Sequence, residues 1–371
     1  MEVDWEATRQ ECQALQAGFF ANRALIIAAN RAPVTFDRAE DGSLSFQRGG
    51  GGLVTALTDL CRTAEDATWI GCARTEADAQ WRQGIVALDG EESVGVRFLS
   101  PAEEAYDGYY NVIANPLLWF LQHSMWDVPR APVIDRNTWQ AWEQGYKEVN
   151  RLFGQTIIRQ VRASRRPTLL MLQDYHLYLA PRFVRDGLRR KERPTIQLFV
   201  HIPWPGPDYW RILPPAMRQE ILDGLCAVDL LGFQTEEDSA NFLRTVDAFI
   251  PRASVNFRRR RVWYRNHATH ARDFPISIDC DSLRQSAASE EAAGYLAELA
   301  EMSGDCSLIL RVDRIEPSKN IVRGFLAFEE MLELHPEHRG QVTFLALLVP
   351  SRMDVDEYKR YLDDLMAVSY T

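Results

Sequence analysis

Two apolar runs in this chain end in side chains able to move protons or grip a polar ligand. Thr195 to Pro207 reads TIQLFVHIPWPGP, a β-branched run over Ile196 to Ile202 that closes in a proline-locked turn holding His201. Thr168 to Gln173 (TLLMLQ) ends in the same manner, in Asp174, Tyr175 and His176. Such runs read as buried strands of a parallel sheet, and ligands in open α/β sheets sit at the carboxyl ends of strands. Two neighbouring strand ends would therefore deliver an acid and a histidine to one crevice. Asp174 with His176 has the makings of a general acid/base pair. No Ser or Cys elbow of the GxSxG kind accompanies them, so a hydrolytic triad is not expected.

A second group of residues suits phosphate. Arg48 is followed by Gly49-Gly50-Gly51-Gly52 and a helical start at Leu53 to Leu57. Glycines there let backbone N–H groups converge on an anion at a helix N-terminus, although the run alone equally describes a flexible loop. Arg314 and Lys319 sit in Asp313-Arg314-Ile315-Glu316-Pro317-Ser318-Lys319, after the strand Ser307 to Val312. Two cations between a strand end and a helix start suit a pyrophosphate. Arg352, in Pro350-Ser351-Arg352, repeats the pattern after the strand Val342 to Val349. Three cations and a glycine loop, spread over two domains, point to a doubly phosphorylated ligand set in a cleft between them. His267 and His270 lack carboxylate or thiolate support and read as hairpin surface rather than metal ligands.

The elements that must hold these groups alternate. A helix over residues 1–22 precedes the strand Ala24 to Ala29 and its turn Asn30-Arg31-Ala32-Pro33. A hairpin-like insertion follows, with Asp41-Gly42 as its turn, then short strands near 69–71, 84–88 and 94–99. Asn137 is expected to cap a long helix whose Trp139, Trp142, Tyr146, Val149, Phe153 and Ile157 repeat at three and four residues as a core stripe. Strand 168–173, helix 178–190, strand 195–202, helix 215–227, strand 228–233 and helix 236–249 continue the alternation of a parallel α/β sheet. It breaks at the basic, hairpin-like residues 250–275. A second α/β domain is expected from about residue 275, with a helix at 289–302, strands at 307–312 and 342–349, and helices at 320–334 and 354–366. Two convincing strands are few for such a domain.

Bulk properties set the class. A chain of 371 residues calls for two domains. Its 46% hydrophobic and 25% charged residues are those of a soluble globular protein. A net charge of -10 gives no support to nucleic-acid binding, and Arg258 to Arg261 reads as a solvated hairpin arm. The six cysteines form no CxxC pair and read as reduced thiols. The polar start MEVDWEATRQ is unlike a signal peptide, and no apolar run nears membrane length. A cytoplasmic protein is the expectation.

In order and spacing, the motifs resemble those of the trehalose-6-phosphate synthase family, retaining nucleotide-sugar glycosyltransferases. They are ANR (29–31), GGL (51–53), WIG (69–71), YYN with a later LW (109–119), QDYHL (173–177), HIPWP (201–205), LLGFQT (230–235), RIEPSK (314–319) and PSR (350–352). The resemblance implies an α/β, GT-B-like fold with two Rossmann-like parallel-sheet domains facing a cleft, the second incomplete. It divides the chain into a helix at 1–22, an acceptor domain at 23–274 and a partial nucleotide-sugar domain at 275–371. It further implies that Arg31, Tyr110, Trp119 and Arg352 hold an acceptor sugar phosphate, while Asp174 hydrogen-bonds the acceptor sugar. His201 would lie beside the donor glucose, Arg314 and Lys319 would bind the donor diphosphate, and Gly51 and Gly52 would close over it. In the family's usual account the leaving phosphate itself takes the acceptor proton, which needs no protein nucleophile.

Two departures qualify the likeness. The family's acidic, glycine-containing donor loop has no counterpart after Arg352, so a member truncated at the C-terminus is expected, with its activity in question. HIPWP stands where many members have HIPFP, as in relatives using other acceptors, among them the glucosylglycerol-phosphate and validoxylamine phosphate synthases. The expected function is transfer of glucose from UDP-, GDP- or ADP-glucose to glucose 6-phosphate, giving trehalose 6-phosphate. The alternatives are an acceptor such as glycerol 3-phosphate, or a non-catalytic sugar-phosphate binding chain. No cofactor or metal is expected beyond the nucleotide-sugar co-substrate. The partners are a nucleotide sugar and a sugar phosphate, not nucleic acid or membrane, with assembly as a homo-oligomer left open.

Overall fold

The computed structural model describes residues 5–39, 41–49, 52–64, 66–89, 92–352 and 354–369. Contacts divide the chain into a unit up to Pro275 and a unit from Ile276. The N-terminal helix, Trp5–Phe20, is grouped with the first unit.

Among the described residues the strands are β1 (Ala24–Arg31), β2 (Val34–Arg38), β3 (Leu44–Arg48), β4 (Ala67–Cys72), β5 (Gln83–Asp89), β6 (Glu92–Leu99), β7 (Thr168–Gln173), β8 (Thr195–Phe199), β9 (Leu230–Phe233), β10 (Ser254–Asn256), β11 (Arg261–Tyr264), β12 (His267–Asp273), β13 (Ser307–Ile315) and β14 (Val342–Pro350). Ten of them form one sheet in the order β10-β11-β12-β9-β8-β7-β1-β4-β6-β5. The run from β12 through β6 is parallel, and antiparallel pairs occur at its two ends. β1 reads ALIIAANR because it lies at the centre, with every residue but Arg31 buried. β2 and β3 form a separate hairpin turning at Asp41-Gly42, where Gly42 takes φ 82.

The aromatic stripe is core from Trp142 on, with Trp142, Tyr146, Val149, Phe153 and Ile157 all 0% exposed, whereas Trp139, expected to share it, is only half-buried. The helix itself differs in two ways. Its N-cap is Asp135, whose carboxylate accepts from Thr138 N, so Asn137 lies within the first turn. Ala141–Tyr146 is a π-helical segment, as is Gly108–Trp119, and the two pack where Gly108 meets Ala141 and Gly145. A side chain at Gly145 would meet Tyr109 N at 2.6 Å, so the absence of a Cβ permits the approach. Wide π turns recur at functional sites.

In the basic segment 258–261, Arg258 and Arg259 are exposed on the turn of the β10–β11 hairpin, as expected of a solvated arm, but the other two arginines are held. Arg260 forms ion pairs with Glu236 and Asp273, and Arg261 belongs to β11. His267 is likewise no surface group: it is half-buried, its Nε2 2.8 Å from the Val228 carbonyl. Both corrections have one cause. β12 pairs in parallel with β9, which draws the hairpin into the sheet.

In the second unit β13 pairs with β14 in parallel, from Ser307↔Val342 to Ile315↔Pro350. Ile315, Ile321 and Leu365 form its core, with Phe325, Leu348 and Tyr361 packed against them. No helix among the described residues is long and apolar enough to cross a membrane.

Candidate active site

In the first unit, three adjacent strands bring their carboxyl ends together. β1 ends in Asn30 and Arg31, β7 in Gln173 with Asp174 directly after it, and β8 leads into the loop that carries His201. β8 ends at Phe199, two residues short of His201: Val200 N gives the last rung to the Gly232 carbonyl of β9 at 2.9 Å, and beyond it Pro203 and Pro205 cannot donate to a ladder. Asp174 N extends the β7–β8 pairing by donating to Phe199 O at 2.7 Å. The His201 N–H donates to Asp174 Oδ1 at 3.2 Å, so the expected acid and histidine are joined through the backbone. The His201 ring lies with Nε2 2.9 Å from Gln173 Oε1.

Asp174 stands at φ 70, ψ 175. That region belongs almost entirely to glycine, and holding another residue there costs of order 1–3 kcal/mol. The surroundings over-determine the turn. Tyr146 Oη donates to Tyr175 O, and Asn150 Nδ2 to His176 O at 3.0 Å. Asn150 Oδ1 accepts from Leu179 N and Ala180 N, at 3.1 and 3.0 Å, at the head of the next helix. Tyr175 Oη donates to Asn115 Oδ1 at 2.8 Å, and Asn115 Nδ2 reaches Tyr110 O at 3.1 Å. One chain of hydrogen bonds therefore links the strained turn to the π-helix bearing Tyr110.

Tyr110 lies between Tyr106 (centroids 5.6 Å, 10°) and His176 (5.9 Å, 15°) in a stacked column. Asn30 Nδ2 lies 3.4 Å from Tyr106 Oη at its end. His176, read from sequence as a partner for Asp174 in acid–base work, contributes a stacking face instead. Trp119 is 3% exposed, its ring 4.0 Å from that of His123. Arg31 is exposed, but its backbone is fixed. Trp69 Nε1 donates to Arg31 O at 3.1 Å, and Gly71 packs so close that a Cβ would lie 2.5 Å from Ala32 N. Gly52 opens the helix Gly52–Thr63. Gly51 lies outside the described residues.

Burial pushes the His201 pKa down, with Asp174 pulling weakly the other way, and burial lowers that of His267 as well. Folded, these rings hold fewer protons than unfolded, so their contribution to stability is complete above the ordinary value of 6.5 and is lost as pH falls through the lowered values. Urea unfolding midpoints should therefore fall between about pH 7.5 and about pH 5.5, and the doubly substituted His201→Gln/His267→Gln chain should lose less. An identical decline in both chains would show that other groups carry it.

In the second unit the cations gather on a buried acid. Arg314 lies inside β13, which runs on to Ile315, rather than in the loop expected after Val312. Glu316 is 2% exposed, and its Oε1 lies 3.3 Å from Arg314, 2.9 Å from Ser318 Oγ and 3.8 Å from Lys319 Nζ. Asn320, at φ 53, turns the chain into the helix Ile321–Leu334, whose first N–H groups, Ile321 and Val322, face Tyr361 Oη at 2.6 and 3.4 Å. Arg352, at φ 52, follows β14 and sits over the ring of Tyr358, donating to its hydroxyl. Among the described residues no cluster of three His, Cys, Asp or Glu could hold a metal ion.

Sequence reasoning missed Gln173, Asn115, Asn150 and Tyr106. The available signal was asparagine within apolar helical segments, since a buried amide implies a partner.

The chain as a whole resembles known proteins. Residues 23–369 match the profile described as glycosyltransferase family 20. An alpha,alpha-trehalose-phosphate synthase [UDP-forming] of Pichia angusta is 32% identical over 343 residues, 90% of this chain and 68% of its own. The 56 kDa subunit of the UDP-forming synthase of Saccharomyces cerevisiae is 32% identical, over 90% of this chain and 65% of its length. Among solved structures, the E. coli protein described as bound with UDP-2-fluoro glucose superposes with a TM-score of 0.76 at 26% identity, covering 93% of this chain and 69% of that one. The synthase of Burkholderia vietnamiensis gives a TM-score of 0.75 at 26% identity, over 94% and 69%. The chain thus spans about two-thirds of the length of the proteins it matches and shares their GT-B fold. With the profile matched across both units, it belongs to glycosyltransferase family 20.

Proposed function

We propose that this protein transfers glucose from UDP-glucose to glucose 6-phosphate with retention, forming trehalose 6-phosphate and UDP. The first unit supplies most of the acceptor contacts, and the second supplies the cations that meet the donor diphosphate. The observation that carries the reading is the placement of Arg31, Asp174 and His201 at the ends of three adjacent strands.

Each group has a role its chemistry suits. Arg31 and Arg352 bind the acceptor phosphate, Tyr110 and Trp119 border the sugar, and the Asp174 carboxylate accepts from its hydroxyls. His201, neutral because it is buried, meets the donor glucose. Arg314 and Lys319 stabilise the charge that grows on the diphosphate as it departs. Glu316 holds those two cations in place, and Gly51 and Gly52 close over the donor. The bond from the donor C1 to the phosphate oxygen breaks as the bond from C1 to the acceptor oxygen forms on the same face. The acceptor proton passes to the departing phosphate oxygen, so no protein side chain must become a nucleophile.

The test follows UDP release from UDP-glucose with glucose 6-phosphate, glycerol 3-phosphate or glucose as acceptor. Glucose 6-phosphate is expected to be the productive one; turnover with glycerol 3-phosphate alone would replace the acceptor, and none with any would leave a binding protein. By calorimetry, Arg31→Ala or Arg352→Ala should weaken glucose 6-phosphate binding by about 1.5–3 kcal/mol, the range for hydrogen bonds to charged groups. Equal losses for unphosphorylated glucose would contradict the phosphate assignment.

A further inference from the structure

Gln173 is held at a cost that packing does not explain. It is 2% exposed at the end of β7, and its Nε2 is buried without a hydrogen-bond partner among the described residues. A buried amide left unmet costs about 1–3 kcal/mol, a penalty that an apolar side chain of similar length would avoid. The other end of the same amide has a definite use: Oε1 lies 2.9 Å from His201 Nε2. A carbonyl oxygen only accepts, so the neutral imidazole must carry its proton on Nε2, which leaves Nδ1 as the lone-pair nitrogen.

We propose that Gln173 is a positioning residue that fixes His201 in the Nε2–H tautomer, so that Nδ1 accepts a hydrogen bond from a hydroxyl of the donor sugar. The tautomer follows from the Gln173 amide turning its oxygen to the ring, while its use by the donor rests on the function proposed above. Burial that keeps the ring neutral supports it, because an imidazolium has no lone pair to offer. The His201 N–H bond to Asp174 fixes the ring's root, and Gln173 fixes its tip. A hydroxyl donating to Nδ1 would find both already set.

The experiment reads the tautomer directly, by two-bond nitrogen–proton NMR on chain labelled with nitrogen-15 at histidine, with the His201→Gln variant identifying the signal. In the unliganded wild-type chain near pH 7.5, Nε2 is expected to have the shift of a protonated nitrogen and Nδ1 that of a bare one. Gln173→Met removes the acceptor while filling its space. Its thermal stability should stay level or rise, since the unmet amide goes with it, and its His201 signals should move to averaged values of two mixed tautomers. Affinity for UDP-glucose should fall roughly three- to tenfold, the worth of one hydrogen bond, with glucose 6-phosphate affinity unchanged. A proton on Nδ1 in the wild type, or an unaltered tautomer in the Met variant, overturns the proposal. The tautomer is read without ligand. A locked tautomer in a chain that transfers no glucose would therefore count against the proposed function alone, and a locked tautomer with donor affinity unmoved would refute the sugar contact.

Discussion

An alanine at Gly71 is expected to cost at least about 1–3 kcal/mol of stability, the usual range for overpacking, and to weaken glucose 6-phosphate binding as far as loss of the Arg31 side chain does. The added carbon would sit 2.5 Å from Ala32 N and 2.9 Å from both Ala32 Cα and the Arg31 carbonyl carbon. These are backbone atoms, so no rotamer change can relieve the clash. Either β4 shifts away from β1, or the turn carrying Arg31 moves off its hydrogen bond to Trp69. Gly18→Ala is the control, since a Cβ there meets nothing within 4 Å inside the helix Trp5–Phe20. It should gain about 0.5–1 kcal/mol from helix propensity. Denaturant melts and calorimetry on both variants decide the matter, and Gly71→Ala behaving like Gly18→Ala would refute the close-approach argument.

Asp174 offers the second large effect, in a comparison of two substitutions. Asp174→Gly and Asp174→Ala both remove the carboxylate and should abolish acceptor use equally. Their stabilities should differ by about 1–3 kcal/mol in favour of glycine, because φ 70 with ψ 175 strains every residue that carries a Cβ. This reverses the common order, in which glycine is the less stable by about 0.4–1 kcal/mol through its freer unfolded chain. If the alanine variant proves the more stable, the turn is not strained. The expected outcome would mean that the wild-type chain sustains a strained backbone at the residue proposed to hold the acceptor sugar.

Patterning made most of the sheet legible. β7 falls on Thr168–Gln173 as its apolar run indicates, and β1 was readable because a strand covered on both faces can be continuously apolar. Local pattern could not place the ends set by tertiary contacts. β8 ends earlier than its apolar run because its last rung to β9 is at Val200 and prolines follow, and β13 runs past Val312 through Arg314 because β14 pairs with it to Pro350. The π turns at 108–119 and 141–146 were invisible to a period of 3.6, although the buried stripe they carry was not. At the candidate site the charged residues stood out by type. Their supports did not, because Gln173, Asn115 and Asn150 matter through partners 28, 60 and 30 residues away.

The central place of β1 has a consequence for time. It is made before both of its neighbours, and one of them, β7, begins only at Thr168. At ribosomal speeds of about 5–20 residues per second, β1 must wait on the order of 10 s for that partner to be synthesised. Through that interval ALIIAA, destined for complete burial, is an apolar ribbon with one edge open. Arg31 stands at the end of that ribbon, so the corner proposed to face the acceptor phosphate takes its final position only once β7 has been made.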